Sequence, residues 1–278
     1  MASTLPLLDS VHETTIAGLN GVRLGDGPPL LLLHGIGHRW QAWMPVLEGL
    51  ARDFEVVAID LPGFGLSPPL TPPVTLAVGV ERLAEGLDAL GWDRAHVAGN
   101  SLGGWLAFEL GRLGRARSIC GLAPAGLWRD AAATEKRLRR LFAVWVGGAR
   151  RAGPAVGLMR FRAFRTLALY GLFGRPWRIP AEIAIGDARA LAASAFEETF
   201  AAGVGQRFTG GTAIDVPVTV AWCSRDPLFQ PERSTLEELP PHTRVVMLSG
   251  CGHVPMWDDP ELIVETIRST AHATVAAG

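Results

Sequence analysis

Cysteine is scarce. The 278 residues hold three, Cys120, Cys223 and Cys251. They form neither a zinc-like pair nor an even-numbered disulfide framework, so a reducing compartment is expected and a structural metal is not. Long apolar runs are missing too: none approaches the ~20 residues that span a bilayer, and the opening MASTLPLLDSVHETT lacks a basic stretch followed by an apolar one. The expectation is a soluble, cytoplasmic protein with no integral membrane segment. No internal repeat, low-complexity tract or recognised nucleic-acid-binding module occurs, so nucleic acid is not an expected partner. A composition that is 48% hydrophobic, in a chain of this length, suits one elaborated α/β domain carrying an insertion.

The formal net charge of -1 conceals an asymmetry. Residues 127–212 hold 14 Arg or Lys against 6 Asp or Glu, while the remainder holds 12 against 21. Within the basic segment, residues 136–165 carry nine basic side chains and no acidic one. Three readings are open: attraction of anionic substrates, association with an anionic membrane surface, or a solvated helix face paired with the acidic remainder.

Apolar patterning divides the chain in the same place. Residues 29–33 (PLLLL) and 54–59 (FEVVAI) suit buried parallel strands. Over 75–90, Leu76, Val80, Leu83, Leu87 and Leu90 recur at helical spacing. Residues 95–98 (AHVA) predict a strand that runs into Gly99-Asn100-Ser101-Leu102-Gly103-Gly104, with a helix over 105–113. From 127 the alternation stops, and helical patterning is interrupted at Gly147-Gly148, Gly153-Pro154 and Arg175-Pro176. It resumes with a strand at 216–223, a helix at 232–239, a strand at 244–248 and a helix at 261–270. The division that follows is a core of 1–126 and 213–278 with a helical cap at 127–212.

Acyl chemistry needs a nucleophile, a base, a group to orient the base, and donors for the developing oxyanion. Ser101 sits in GxSxG between a strand and a helix, where that motif makes a strained turn exposing the hydroxyl. Gly99 and Gly103 let the neighbouring backbones approach. His253, just past the strand ending at Leu248, is placed to act as base, whereas His12, His96, His242 and His272 are expected to be structural or solvated. Asp226 follows the strand ending at Cys223 and can hold the imidazole, or it can cap the turn before Pro227. No acid lies between Cys120 and Trp128, so the competing position for that carboxylate is empty; Asp258 and Asp259 are expected to start the last helix. His34-Gly35-Ile36-Gly37 leaves the PLLLL strand and can supply the Ile36 amide, beside that of Leu102, as an oxyanion hole.

With those residues in place, the chain resembles the α/β-hydrolase superfamily through LLLHGIG (31–37), DLPGFGLS (60–67), GNSLGG (99–104), SRDP (224–227) and GCGHVPMWDDP (250–260). The resemblance implies an α/β fold with a mostly parallel eight-stranded sheet flanked by helices, a cap inserted after the sixth strand, and a structural turn at Asp60 to Ser67. Within the superfamily GNSLGG is similar to carboxylesterases and to C–C bond hydrolases of aromatic degradation; Asn100 suits the latter, but Val254 stands where they tend to place Trp. Epoxide hydrolases and haloalkane dehalogenases use an aspartate at the position of Ser101. Cofactor-free perhydrolases share the serine triad.

The expected activity is hydrolysis of a small to medium carboxylic ester through an acyl-enzyme, with no metal or organic cofactor. The alternatives are C–C cleavage of diketones, perhydrolysis, or a ligand-binding homologue with little turnover. The expected partner is a small-molecule substrate, with a homodimer left open. Trp128, Trp145, Met159, Phe161, Phe164, Leu167, Tyr170, Phe173 and Trp177 either line a cap pocket or, as aromatics at helical spacing usually do, pack in the cap core. Cys251 is expected to be a weakly reactive loop thiol.

Overall fold

Alternate residues of each central strand feed two different cores. In the computed structural model, which describes residues 13–275 and so leaves His12 outside, Leu31 and Leu33 of the PLLLL strand are buried on one side and Leu30 and Leu32 on the other. Such strands need helices on both faces, which is why they read as continuous apolar runs.

Eight strands form one sheet: β1 (Glu13–Ile16), β2 (Leu19–Leu24), β3 (Pro29–Leu33), β4 (Glu55–Ile59), β5 (Ala95–Asn100), β6 (Ala116–Leu122), β7 (Val218–Cys223) and β8 (Arg244–Leu248). Their order is β1-β2-β4-β3-β5-β6-β7-β8, antiparallel at β1-β2 and β2-β4 and parallel from β4 onward. Helices α1 (Met44–Ala51) and α8 (Pro260–Ala271) cover one face; α2 (Leu76–Ala89) and α3 (Leu102–Arg112) cover the other. The antiparallel hairpin at the edge has no counterpart in the sequence reading. Its strands are short and part-exposed, and its turn uses positive φ at both Ala17 (49°) and Gly18 (79°), without the Asn-Gly or Asp-Gly signature.

Between β6 and β7 the described chain is helical: α4 (Ala131–Ala152), α5 (Arg162–Ala168), α6 (Ala181–Ala193) and α7 (Phe196–Gly203), with 3₁₀ turns at Gly153–Arg160 and Pro176–Arg178. The break expected at Gly147-Gly148 does not occur. Helix α4 runs through both glycines for 22 residues, from an Asp130 cap that accepts from the Ala133 amide to Gly153, where φ is 44°. Two glycines cost a helix about 2 kcal/mol together; burial of Leu138 and Val146 on its inner face offsets that.

The helix expected over 232–239 is also absent, apart from a 3₁₀ turn at Pro231–Arg233. Here the backbone is committed elsewhere: the Arg129 amide donates to Arg233 O (3.0 Å), and the Thr235 amide donates to Leu127 O (2.7 Å). Pairing with the chain entering the helical insertion overrides a local helical pattern bracketed by Pro231 and Pro240.

His34, at the end of β3, ties two loops together. Its Nε2 accepts from the Leu61 amide at 2.9 Å, and Nδ1 lies 2.8 Å from Gly35 O, which makes Nδ1 the protonated nitrogen. Burial pushes its pKa from 6.5 down to about 3. The unfolded chain therefore binds the extra proton between those values, so stability contributed above pH 6.5 is lost as pH falls toward 3. Urea denaturation across this range should show a loss of up to about 1.4 kcal/mol per pH unit from this imidazole. His34→Gln should flatten the slope; an unchanged slope would remove His34 as its source.

Candidate active site

The chain turns from β5 into α3 at Ser101 with φ 55° and ψ -115°, a backbone conformation rare for any residue with a side chain. Tight packing explains the glycines around it. A Cβ at Gly99 would overlap the Gly103 carbonyl, and one at Gly103 would overlap the Leu33 carbonyl. The strained peptide is held by hydrogen bonds: the Ser101 amide donates to Leu122 O (3.0 Å), and its carbonyl accepts from Gly104, Trp105 and Ala125. The Ser101 hydroxyl makes no hydrogen bond among the described residues and borders a cavity of about 360 Å³.

His253 borders the same cavity from the loop after β8. Its Nδ1 donates to Asp226 Oδ2 at 2.8 Å, with both side chains buried. Asp226 fills both roles open in the sequence, since its Oδ1 accepts from the Leu228 amide at 2.6 Å and so also caps the turn. The Phe229 ring lies edge-on to the imidazole, 5.1 Å between centroids.

The histidine loop is anchored from three sides. Asn100 Nδ2 donates to His253 O at 2.8 Å and to Leu122 O at 3.0 Å, linking that loop to the serine turn. The Val254 amide donates to Leu172 O of the helical insertion. Asp258, expected to start the last helix, instead accepts from the amides of Gly252 (2.8 Å), Gly174 (2.8 Å) and Arg175 (2.6 Å). Burial pushes its carboxyl above the usual carboxylate range, while those amides pull it back. Asp259 alone caps α8, through the Leu262 amide.

Gly35 and Ile36 border the cavity, and Leu102 opens α3 beside the serine. Among the described residues neither the Ile36 nor the Leu102 amide has an intramolecular acceptor, so both are available to a ligand oxygen, and the positive end of α3 adds to their attraction for an anion. The Asp60 turn stands apart from the cavity as scaffolding: its buried carboxylate accepts from Asn20, Trp40 and Leu66. No group of three or more His, Cys, Asp or Glu is placed to hold a metal ion among the described residues. The Cys251 thiol is buried and pushed up to about 12, which keeps it protonated.

Of the nine apolar residues proposed from the sequence, Trp145, Met159, Phe164 and Phe173 border the cavity, and Trp128 packs against Trp105 and Phe229 beneath it. Phe161, Leu167, Tyr170 and Trp177 are exposed, which neither reading anticipated. Two polar neighbours of the cavity were missed, His38 and Asp187. Asp187 of α6 accepts from Arg39 Nε at 2.7 Å, pinning the insertion to the loop after β3. Burial lowers the His38 pKa, with Asp187 opposing. His38 directly follows the His-Gly-Ile-Gly run and was legible there; Asp187 carried no local signal.

The family model described as the alpha/beta hydrolase family matches residues 30–266. A protein of Mycobacterium tuberculosis named epoxide hydrolase EphH is 35% identical over 204 residues, 69% of this chain and 93% of that protein. A bacterial membrane phospholipase A, described as a virulence factor, superposes with a TM-score of 0.73 at 26% identity, covering 95% of this chain and 87% of its own. An esterase from Thermogutta terrifontis shares the fold, with a TM-score of 0.71 at 22% identity over 94% of this chain and all of that one. With the parallel sheet, the serine turn and the matched span of 30–266, the chain belongs to the alpha/beta hydrolase family and is a hydrolase.

Proposed function

We propose that the protein hydrolyses carboxylic esters through a Ser101–His253–Asp226 triad and an acyl-enzyme. The observation that carries this reading is the buried His253–Asp226 hydrogen bond on the wall of the cavity that Ser101 borders. Asp226 fixes the imidazole with Nδ1 protonated, which leaves Nε2 as the basic nitrogen. His253 takes the Ser101 proton, the alkoxide attacks the ester carbonyl, and the Ile36 and Leu102 amides receive the oxyanion. The tetrahedral adduct collapses as the imidazolium returns its proton to the departing alcohol. Water, activated by the same nitrogen, then cleaves the acyl-enzyme.

A hydroxyl nucleophile argues against the epoxide opening named for the mycobacterial relative. Attack of Ser101 on an epoxide carbon would leave an alkyl ether, which has no carbonyl for water to attack. An acyl-serine ester has one. In this reading the helical insertion, 127–212, is a cap whose apolar wall receives the acyl chain.

Ser101→Ala should lower hydrolysis of p-nitrophenyl esters by at least about 10⁴-fold, and Asp226→Asn by roughly 10²- to 10⁴-fold, with unfolding midpoints recorded to separate chemistry from stability. Full activity in Ser101→Ala would remove the serine from the mechanism. Turnover should fall on acidification, because a protonated imidazole cannot accept the serine proton; a flat rate down to about pH 5 would exclude His253 as base. Gly148 borders the cavity with open space where a side chain would project. Gly148→Leu should therefore leave acetate hydrolysis intact and lower that of long acyl esters about tenfold. Equal effects on both lengths would place the acyl chain elsewhere.

A further inference from the structure

Large apolar side chains crowd one outer face of the cap. Leu158, Phe161, Leu167, Tyr170 and Trp177 are all exposed, Leu167 and Tyr170 by more than three-quarters (77% and 78%). Leu167 and Tyr170 share a shallow surface depression with Arg162 and Trp177. Soluble surfaces ordinarily scatter such side chains singly. The cavity opens on this face as well, since its lining residues Val144 (69%) and Phe164 (42%) are themselves exposed, one from α4 and one from α5.

Positive charge sits on the same two helices, α4 and α5, and on the turn between them. Lys136, Arg140, Arg151, Arg160 and Arg162 are exposed, and none forms an ion pair among the described residues. Arg139 and Arg150 pair within the cap, with Glu135 and Glu197. The Arg160 guanidinium lies 4.6 Å from the Phe161 ring centre. These facts separate the three readings of the basic segment. Among the described residues no Arg or Lys lines the cavity, so the charge does not greet an anionic substrate inside it. Arg175 pairs with Asp259 of the core at 3.5 Å, but the five free cations reach no acid of the core among the described residues.

We propose that this face docks on an anionic lipid bilayer, with Phe161, Leu167 and Tyr170 entering the headgroup layer and the arginines meeting lipid phosphates. Basic side chains interleaved with exposed aromatic and aliphatic ones, on a chain in which no described helix is long and apolar enough to cross a membrane, are the chemistry of surface attachment. A second copy of the chain is the poorer occupant, because a two-fold contact would press this basic patch against itself. Docking would set the cavity mouth against the membrane, so that esters dissolved in the bilayer enter without crossing water. That route rests on the catalytic reading of Ser101; docking itself does not.

The test is co-sedimentation of the full chain with vesicles of phosphatidylcholine alone and of phosphatidylcholine containing one-third phosphatidylglycerol. Wild type should sediment with the anionic vesicles, and the more weakly as salt is raised. Arg160→Ser with Arg162→Ser should weaken partitioning about 30-fold, and Leu167→Ser with Tyr170→Ser about tenfold. None of these four side chains borders the cavity, so turnover of a water-soluble acetate ester should stay within about twofold of wild type. The proposal is overturned if wild type stays in the supernatant, if both double variants bind as it does, or if light scattering shows a dimer that both variants split. Vesicle binding by Ser101→Ala keeps the two proposals apart: binding that persists where no variant hydrolyses any ester sinks the catalytic reading and leaves docking standing.

Discussion

At Ser101 the backbone takes a conformation worth about 1–3 kcal/mol of strain, and much of the surrounding packing serves to hold it there. The glycines at 99 and 103 exist because backbone atoms occupy the space of their missing side chains. Three amides, those of Gly104, Trp105 and Ala125, converge on the Ser101 carbonyl. The result of that over-determined turn is a hydroxyl raised above the carboxyl edge of the sheet, at the positive end of a helix and next to an amide with no other partner among the described residues.

A parallel sheet makes the remainder of the site a matter of proximity. The loops that follow β3, β5, β7 and β8 leave the same edge, so Ile36, Ser101 and His253 border one cavity, with Asp226 hydrogen-bonded behind His253, although they are spread over more than two hundred residues. Asp226 and His253 are shielded from water, which strengthens their hydrogen bond and makes any unpaired partner there costly. Asn100 and Asp258 serve this pair indirectly by holding the backbone on either side of the imidazole.

The helical insertion is bound to the loops that carry His253 and Ile36 rather than merely laid over them. Asp258 takes amides from both, Leu172 O accepts from Val254, and Asp187 holds Arg39 just beyond the expected oxyanion turn. Any displacement of this insertion would thus be felt at the His253 loop and at the loop that carries Ile36. Its inner wall is apolar and its outer face basic, a division that lets one element shape the cavity and present charge to the outside.

The amino-acid sequence by itself determined the strand-and-helix alternation, the serine turn and the residues that close around it. These signals are local: an apolar run, a glycine imposed by contact, a histidine just past a strand. Tertiary structure decided what local pattern cannot encode. It kept α4 helical through Gly147-Gly148 because burial outweighed propensity, and it unmade the helix at 232–239 because the backbone there pairs with residues a hundred positions away. It also turned Asp258 from a helix cap into a clamp and sent Phe161, Leu167 and Tyr170 outward. Helical spacing shows that residues share a face; only the packed neighbours show whether that face meets a core, a cavity or the outside.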